Sequence, residues 1–376
     1  MPAADLTVEL LPARHGDCIL VSWGTPADRH HLLVDAGPAF AYQDIAAQLQ
    51  ARSVTAVDLL VLTHIDADHV EGTILLVNDS ELGLEIGEVW YNGAPQLTSG
   101  TLGPVQGEIL GALIAERRLP WNRAFGGEAV LARDGETPRC VGFPAGLRVT
   151  VLGPDLTQLH RLHDTWLEVC LAADLPVGST AAALAALRAR PKLVPASAYL
   201  SAGSTPDVAR FAEQRRGNDT RVANGSSIVL LLEWRDRSAL LTGDATPAAL
   251  RLAVQRLLDQ RGGATLPVDV FKIPHHGSAK NIDAAIARLV PADHYLISTD
   301  GSYFNHPDDT AVATIVQHGR PTGELVFNYD NPRNRAWDDQ ALLDTFGTRA
   351  RYPEPGSAGV RVVLPAAEGK LTCESR

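Results

Sequence analysis

Leu62-Thr63-His64-Ile65-Asp66-Ala67-Asp68-His69 sets four metal-ligand side chains within six residues. An apolar run over 57–62 (Val57, Leu59, Leu60, Val61, Leu62) leads into it and reads as a buried strand. Carboxylates and imidazoles packed this closely repel one another or lose solvation unless a cation lies between them, and a bound metal ion is the usual answer. A polar turn capping the strand would explain any one of the four, because Asp and His are common in turns. It does not explain four in this order with Gly72 behind them.

Upstream, residues 6–11, 18–23 and 32–34 read as strands, the last ending in Asp35-Ala36-Gly37-Pro38, and a helix follows over Tyr42–Ala51. Downstream, a helix is expected to start near 72–77, and a strand over 88–91 ends in the turn signal Asn92-Gly93. Residues 95–217 change character to a helical and loop-like pattern, interrupted by one strand at 147–152. Helix is expected at 181–190 on propensity, with a polar stretch at 197–219. We read 95–217 as an insertion or lid within a single domain spanning 1–376. Strands return at 227–233 and 238–241 as a hairpin around Arg235-Asp236-Arg237, and the second arm ends in Thr242-Gly243-Asp244. A helix at 247–258 and a strand at 268–273 lead into Pro274-His275-His276-Gly277-Ser278. A further strand and helix at 295–298 and 308–317 precede a strand-rich tail. Alternation in two blocks predicts an α/β fold of two sheets with helices outside.

Composition narrows the function. The chain has 376 residues, 45% hydrophobic, enough for a sizeable core. Its formal net charge of −11 makes it a poor clamp for duplex DNA, whose phosphates need Lys and Arg. The four cysteines, Cys18, Cys140, Cys170 and Cys373, form no paired motif and read as reduced thiols. No signal-peptide pattern opens the sequence and no stretch approaches the roughly 20 apolar residues of a membrane span, so the expectation is a cytoplasmic protein with no membrane partner.

Three clusters fall at strand C-terminal ends: His64/Asp66/Asp68/His69, Asp244, and His275/His276. Loops on rigid strands are where functional residues concentrate. Together these offer ligands for two divalent ions about 3.5–4 Å apart, sharing a carboxylate and a water that loses its proton near neutral pH. Such a metal-bound hydroxide hydrolyses esters, amides or phosphodiesters without a protein nucleophile. Each residue also has a plainer role. Asp244 caps the helix beginning at Pro247, and His275-His276 makes a polar turn. Asp35 is a turn residue before Gly37 or orients a ligand histidine. His306, in Asn305-His306-Pro307, is a loop residue or a substrate contact and proton donor. His15, His30, His31, His160, His163, His294 and His318 have no supporting context and read as structural or exposed.

The segment His64-Ile65-Asp66-Ala67-Asp68-His69 resembles the His-x-His-x-Asp-His signature of the metallo-β-lactamase-fold hydrolases, with Asp in place of the second His. The resemblance is nearest to the hydrolase domain of ComEC-type DNA-uptake proteins and to the phosphorylcholine esterases. Arg14-His15-Gly16-Asp17-Cys18-Ile19-Leu20-Val21 is similar to that branch's Gln-Gly-Asp strand lead-in, and Leu33-Val34-Asp35-Ala36-Gly37 to its Ile-Asp-x-Gly turn. Asn224-Gly225-Ser226-Ser227-Ile228-Val229-Leu230, Leu241-Thr242-Gly243-Asp244, Pro274-His275-His276-Gly277-Ser278 and Asn305-His306-Pro307 follow in the same order. The resemblance covers about 5–330 apart from the middle segment. It implies an αββα four-layer sandwich with a mostly helical insertion and a dinuclear site at one sheet edge. Carried over by position, one ion takes Asp68, His69 and His276, with Asp244 bridging; the other takes His64, Asp66 and Asp244. Relatives place a third histidine on this second ion where this chain has 224–227, so water or Asn224 completes the shell. Asp35 supports from behind, and the oxygen-rich donor set suits manganese as well as zinc. His276 is assigned to metal; His275 is assigned to the substrate side as an acid or phosphate contact, with Asp68 and His306 beside it as catalytic groups.

Three functions fit this reading. The first is a metal-dependent phosphodiesterase or nuclease, acting on a nucleotide, a phosphoester headgroup or single-stranded nucleic acid admitted under the insertion; Arg215, Arg216 and Arg221 precede the Asn224 segment and either contact phosphate or, more commonly for such a run, form a solvated charged cluster. The second is hydrolysis of an uncharged ester, lactone or lactam, since one scaffold hosts many chemistries. The third is a regulatory or scaffolding subunit that docks a protein partner through the insertion.

Overall fold

In the computed structural model, apolar side chains alternate between the two faces of the strands, and both faces are covered. Along Asp28–Val34, Leu32 and Val34 point one way and Leu33 the other, and all three are buried. A strand buried on both faces has no polar side, which is why these segments read as continuous apolar runs. The structure describes residues 4–97, 109–166, 168, 184–185, 187–189, 205–214, 216–355 and 359–366.

Six strands form the first sheet, in the order Val360–Pro365, Asp5–Leu10, Ile19–Thr25, Asp28–Val34, Leu59–Val61 and Val89–Trp90. The first four are antiparallel neighbours; the last two run parallel to Asp28–Val34. Eight strands form the second: Arg349–Arg351, Glu324–Phe327, Ala292–Ile297, Val268–Lys272, Arg237–Leu241, Val229–Trp234, Leu147–Gly153 and Cys140–Gly142. Its first five are parallel and the rest antiparallel. The inner faces meet in one core, with Val8, Trp23, Leu32, Val61 and Trp90 against Val149, Leu230, Trp234, Val270 and Leu296. Outside the first sheet, Leu33 and Leu60 pack on Ile45 and Leu49 of helix Tyr42–Ala51 and Ile74 of helix Ala67–Asn78. Outside the second, Leu240 and Phe271 pack on Leu250 and Val254 of helix Pro247–Arg261 and Val312 of helix Asp309–His318. Each of these fully buried side chains contributes about 1.5–3 kcal/mol. The layers run helix, sheet, sheet, helix, as the sequence predicts.

Two expectations need correction. The helix after the His/Asp cluster begins at Ala67, not near 72. The apolar period starts only at Val70, but the helix takes in Asp68 and His69 because Asp66 is extended (φ −63°, ψ 147°) and Asp68 in the first turn favours the positive end of the helix. Gly72 is needed for this crossing: a Cβ there would lie 1.8 Å from the Ala36 carbonyl oxygen, and its N–H donates to Gly37 O at 2.8 Å. Second, 95–217 is not one insertion. Cys140–Gly142 and Leu147–Gly153 are strands of the second sheet, and the latter pairs with Val229–Trp234 far along the chain. Val208–Glu213 is a short helix. Half of 181–190, much of 197–219 and Arg215 lie outside the described residues, so the lid reading does too. Among the described residues, no helix is long and apolar enough to cross a membrane.

Candidate metal centre

The functional side chains gather beyond the C-terminal ends of parallel strands from both sheets, where open α/β sheets form their crevices. Strand Leu59–Val61 delivers His64 and Asp66, and the first turn of helix Ala67–Asn78 adds Asp68 and His69. Strand Arg237–Leu241 delivers Asp244, and Val268–Lys272 delivers His275 and His276. Both histidines sit in the left-handed region, at φ 50° and 56°, a conformation costing non-glycine residues about 1–2 kcal/mol each.

Asp244 is the hub. Its Oδ2 lies 3.8 Å from His64 Nε2 and 3.6 Å from both His275 Nε2 and His276 Nε2, and its Oδ1 lies 3.5 Å from His69 Nε2. Asp66 Oδ2 is 3.8 Å from His64 Nε2, and Asp68 Oδ2 is 3.3 Å from His276 Nε2 and 4.0 Å from His69 Nε2. These spacings are too long for good hydrogen bonds and suit donors aimed at a shared cation. Buried Nε2 of His64, His69 and His276, Oδ2 of Asp68 and Oδ1 of Asp244 have no hydrogen-bond partner. Five orphaned polar atoms converging in one place fit a cation pair. The donor sets His64/His69/Asp244 and Asp68/His69/His276 each place their ligand atoms within 4.8 Å of one another.

Each imidazole is fixed from behind, as metal-ligating histidines are. His69 Nδ1 meets Asp35 Oδ2 at 2.7 Å, and Asp35 also accepts from Thr63 N and Thr63 Oγ1, both at 2.8 Å. Asp35 itself is fully buried with φ 57°, so its turn presents the carboxylate inward. Thr63 Oγ1 stands 3.0 Å from His64 Nδ1, and His276 Nδ1 donates to Ser298 O at 2.9 Å. His275 Nδ1 meets Asn281 Oδ1 at 2.9 Å, with Asp219 Oδ2 at 3.3 Å behind it.

That arrangement bears on His275 and Asn224. His275 is buried, and its Nε2 lies 3.6 Å from Asp244 Oδ2, the same distance as His276 Nε2. Asn224 is fully buried; its Nδ2 donates to Asp219 at 2.6 Å and lies 3.3 Å from His275 Nδ1, while its Oδ1 has no hydrogen-bond partner. His306 stands beside the centre with its ring 5.6 Å from that of His275 and Nδ1 3.6 Å from Asp308. Arg221 pairs with Asp66 at 2.6 Å from a half-exposed position, while Arg216 is exposed and reaches Gln214.

Electrostatics follow from this crowding. Burial opposes charge on His276, but Asp244, Asp17 and Asp68 outweigh it and raise its pKa to about 9. Burial also opposes charging His69 and His275; Asp244 leads the groups that push both upward. Burial resists ionisation of Asp244, yet His275, His276 and His69 hold its carboxyl well below the ordinary range.

Several participants escaped the sequence reading. Asp17 lies beneath His276 (3.3 Å to Nδ1) and is ion-paired to the fully buried Lys272. Its place in Gly16-Asp17 was the available signal. Asp219 and Asn281 had none, since ordinary polar residues in loops look alike until they are packed. His15, read as structural or exposed, is buried close to the centre; Gly16 beside it lies so near Asp68 that a Cβ would come 2.0 Å from its carbonyl oxygen. His30 and His294 hold Asp58 and Glu324 away from the site.

Residues 11–108 match the family model of the metallo-beta-lactamase superfamily. The four-layer α/β architecture agrees with that fold, and the His/Asp clusters are able to hold divalent ions. Solved structures similar to this chain include YhfI, a metallo-beta-lactamase fold protein from Bacillus subtilis, at 10% identity, covering 96% of this chain and 99% of that one, with a TM-score of 0.39. Another is CmlA, a diiron beta-hydroxylase from Streptomyces venezuelae, at 14% identity over 97% of this chain and 55% of that one, with a TM-score of 0.39. A metallo-beta-lactamase of Cronobacter sakazakii with a HARLDQ motif has 12% identity over 68% of this chain and 70% of that one, with a TM-score of 0.29. No curated protein matches the chain.

Proposed function

We propose that this protein is a two-metal hydrolase of phosphodiester bonds. The observation that carries the reading is the single carboxylate of Asp244 facing four imidazole Nε2 atoms within 3.8 Å, a donor set for two cations rather than one. His64, Asp66, Asp244 and His275 would hold one ion, and Asp68, His69, His276 and Asp244 the other; the donors admit zinc or manganese. When bound, such a pair supplies an acidified water and a counter-charge for the oxygens of the group attacked.

The chain's own residues do the remaining work. Asp35, Thr63, Ser298 and Asn281 fix the imidazoles from behind, so the cage is set before substrate arrives. Arg221 sits at the rim on Asp66 and offers a guanidinium to a phosphoryl oxygen. His306 is kept neutral by burial, which outweighs Asp308, and provides a proton acceptor beside His275. The ComEC-like motif set supports a phosphodiester over a carboxylic ester. The net charge of −11 favours a small nucleotide, a phosphoester headgroup or a single strand over duplex DNA.

The test is a substrate panel with manganese, zinc or magnesium: bis-nitrophenyl phosphate, single-stranded oligonucleotides, nitrocefin and lactones. We expect turnover of the phosphodiesters and its loss in Asp68→Ala. Turnover of nitrocefin or lactones alone would transfer the reading to uncharged substrates, and unchanged turnover in Asp68→Ala would refute the site.

A further inference from the structure

The loop that follows strand Ala292–Ile297 carries side chains the cage does not use. Tyr303 and Phe304 are left 57% and 42% exposed. Neither is isolated. Tyr303 stacks on His15, with ring centroids 5.1 Å apart and planes at 24°, and meets Phe304 edge-on at 4.4 Å. Phe304 lies 5.8 Å from His306 at 28°, and His306 lies 5.6 Å from His275. On the other side, His15 continues to the partly exposed Phe40 at 5.6 Å. Aromatic rings therefore run unbroken from the cage to the surface.

A second observation points to a ligand. His15 is only 7% exposed, yet its Nδ1 has no hydrogen-bond partner. Its position is fixed: Asp300 N donates to Arg14 O at 2.9 Å and Ser298 Oγ to Gly16 O at 2.9 Å, tying the two loops together against Asp68. Exposed aromatic rings beside a buried imidazole with one unsatisfied nitrogen suit a flat, polar-edged occupant.

We propose that His15, Phe40, Tyr303 and Phe304 form a stacking subsite for a planar heteroaromatic ring of the substrate, a nucleobase, placed beside the bond that the cage hydrolyses. The proposal rests on the phosphodiester reading and names its substrate class. Every base has a π-face, so stacking gives grip without sequence preference. With a formal net charge of −11 on the chain, stacking supplies affinity that long-range phosphate attraction does not.

The test is calorimetric binding of AMP, ribose 5-phosphate and phosphocholine to the manganese-loaded full chain. Wild type should bind AMP at least about tenfold tighter than ribose 5-phosphate. Tyr303→Ala with Phe304→Ala should bring AMP to the level of ribose 5-phosphate and leave the latter unchanged; because both side chains are exposed, the fold is preserved. His15→Phe, which keeps a ring and removes Nδ1, should lose part of the AMP preference. Equal affinities in wild type, no AMP binding at all, an equal loss for both sugar phosphates, or phosphocholine binding tighter than AMP would overturn the subsite. An AMP preference without turnover of any phosphodiester would keep the subsite and sink the hydrolytic reading; turnover without the preference would do the reverse.

Discussion

At the residue scale, the geometry around Asp244 separates the candidate ligands by what each one serves. In the proposed ligand sets His275 serves one ion only, so His275→Ala should lower metal content from about two ions per chain to about one, read by elemental analysis after desalting. Asp244→Ala removes the shared carboxylate and should leave less than one. Asp35→Asn tests support from behind: an amide cannot accept from His69 and Thr63 as the carboxylate does, and metal affinity should drop about 10–100-fold, measured by competition with a chelator, with the fold intact. The ligand types were readable because His64-Ile65-Asp66-Ala67-Asp68-His69 packs them into one short segment. That His275 faces Asp244 together with His276 was not readable. Adjacent histidines in a regular chain point apart, and only the left-handed backbone at both positions turns the two Nε2 atoms toward one carboxylate.

At the scale of elements, two junctions stand out. Helix Ala67–Asn78 crosses the Asp35 turn at Gly72, and Gly72→Ala would drive a Cβ into the Ala36 carbonyl. We expect a loss of about 3 kcal/mol or more in urea unfolding, together with lower metal affinity, because the same helix positions His69. Across the second sheet, Glu324 Oε2 lies 2.9 Å from His294 Nδ1 and 2.8 Å from Arg351 Nη2, linking three neighbouring strands. Burial resists ionisation of Glu324, but His294 and Arg351 outweigh it and lower its pKa. A depressed carboxyl contributes stability above its unfolded pKa of about 4.3, and that stability is lost as pH falls through the folded value. Glu324→Gln should therefore cost about 0.5–1 kcal/mol at pH 7, and the gap from wild type in urea midpoint should close in acid. Element types in the two βα blocks followed from apolar periodicity. The strand Leu147–Gly153 was visible as a strand but not as part of the second sheet, because its partner Val229–Trp234 lies far away in sequence and pairing leaves no local mark.

Over the whole molecule, the cage draws donors from both halves of the chain, His64 to His69 from one sheet's end and Asp244 to His276 from the other's. Cation binding is then linked to the docking of the two sheets, and an ion at 100 times its dissociation constant should add about 2.7 kcal/mol of stability. Chelation should lower the melting temperature, and manganese or zinc should restore it; an unchanged transition would mean that the folded form holds no ion there. The two-block alternation foretold the layered architecture. It could not foretell that Val360–Pro365 returns to pair with Asp5–Leu10, since a short strand in a tail fits either sheet equally well on pattern alone.

The paired histidines of the Pro274-His275-His276-Gly277 turn have one more consequence. A single dipeptide brings two Nε2 atoms to 3.6 Å from Asp244 Oδ2, and its two anchors, Asn281 and the Ser298 carbonyl, belong to different loops. Because the two histidines are adjacent in one turn, a displacement of either loop would bear on both of them.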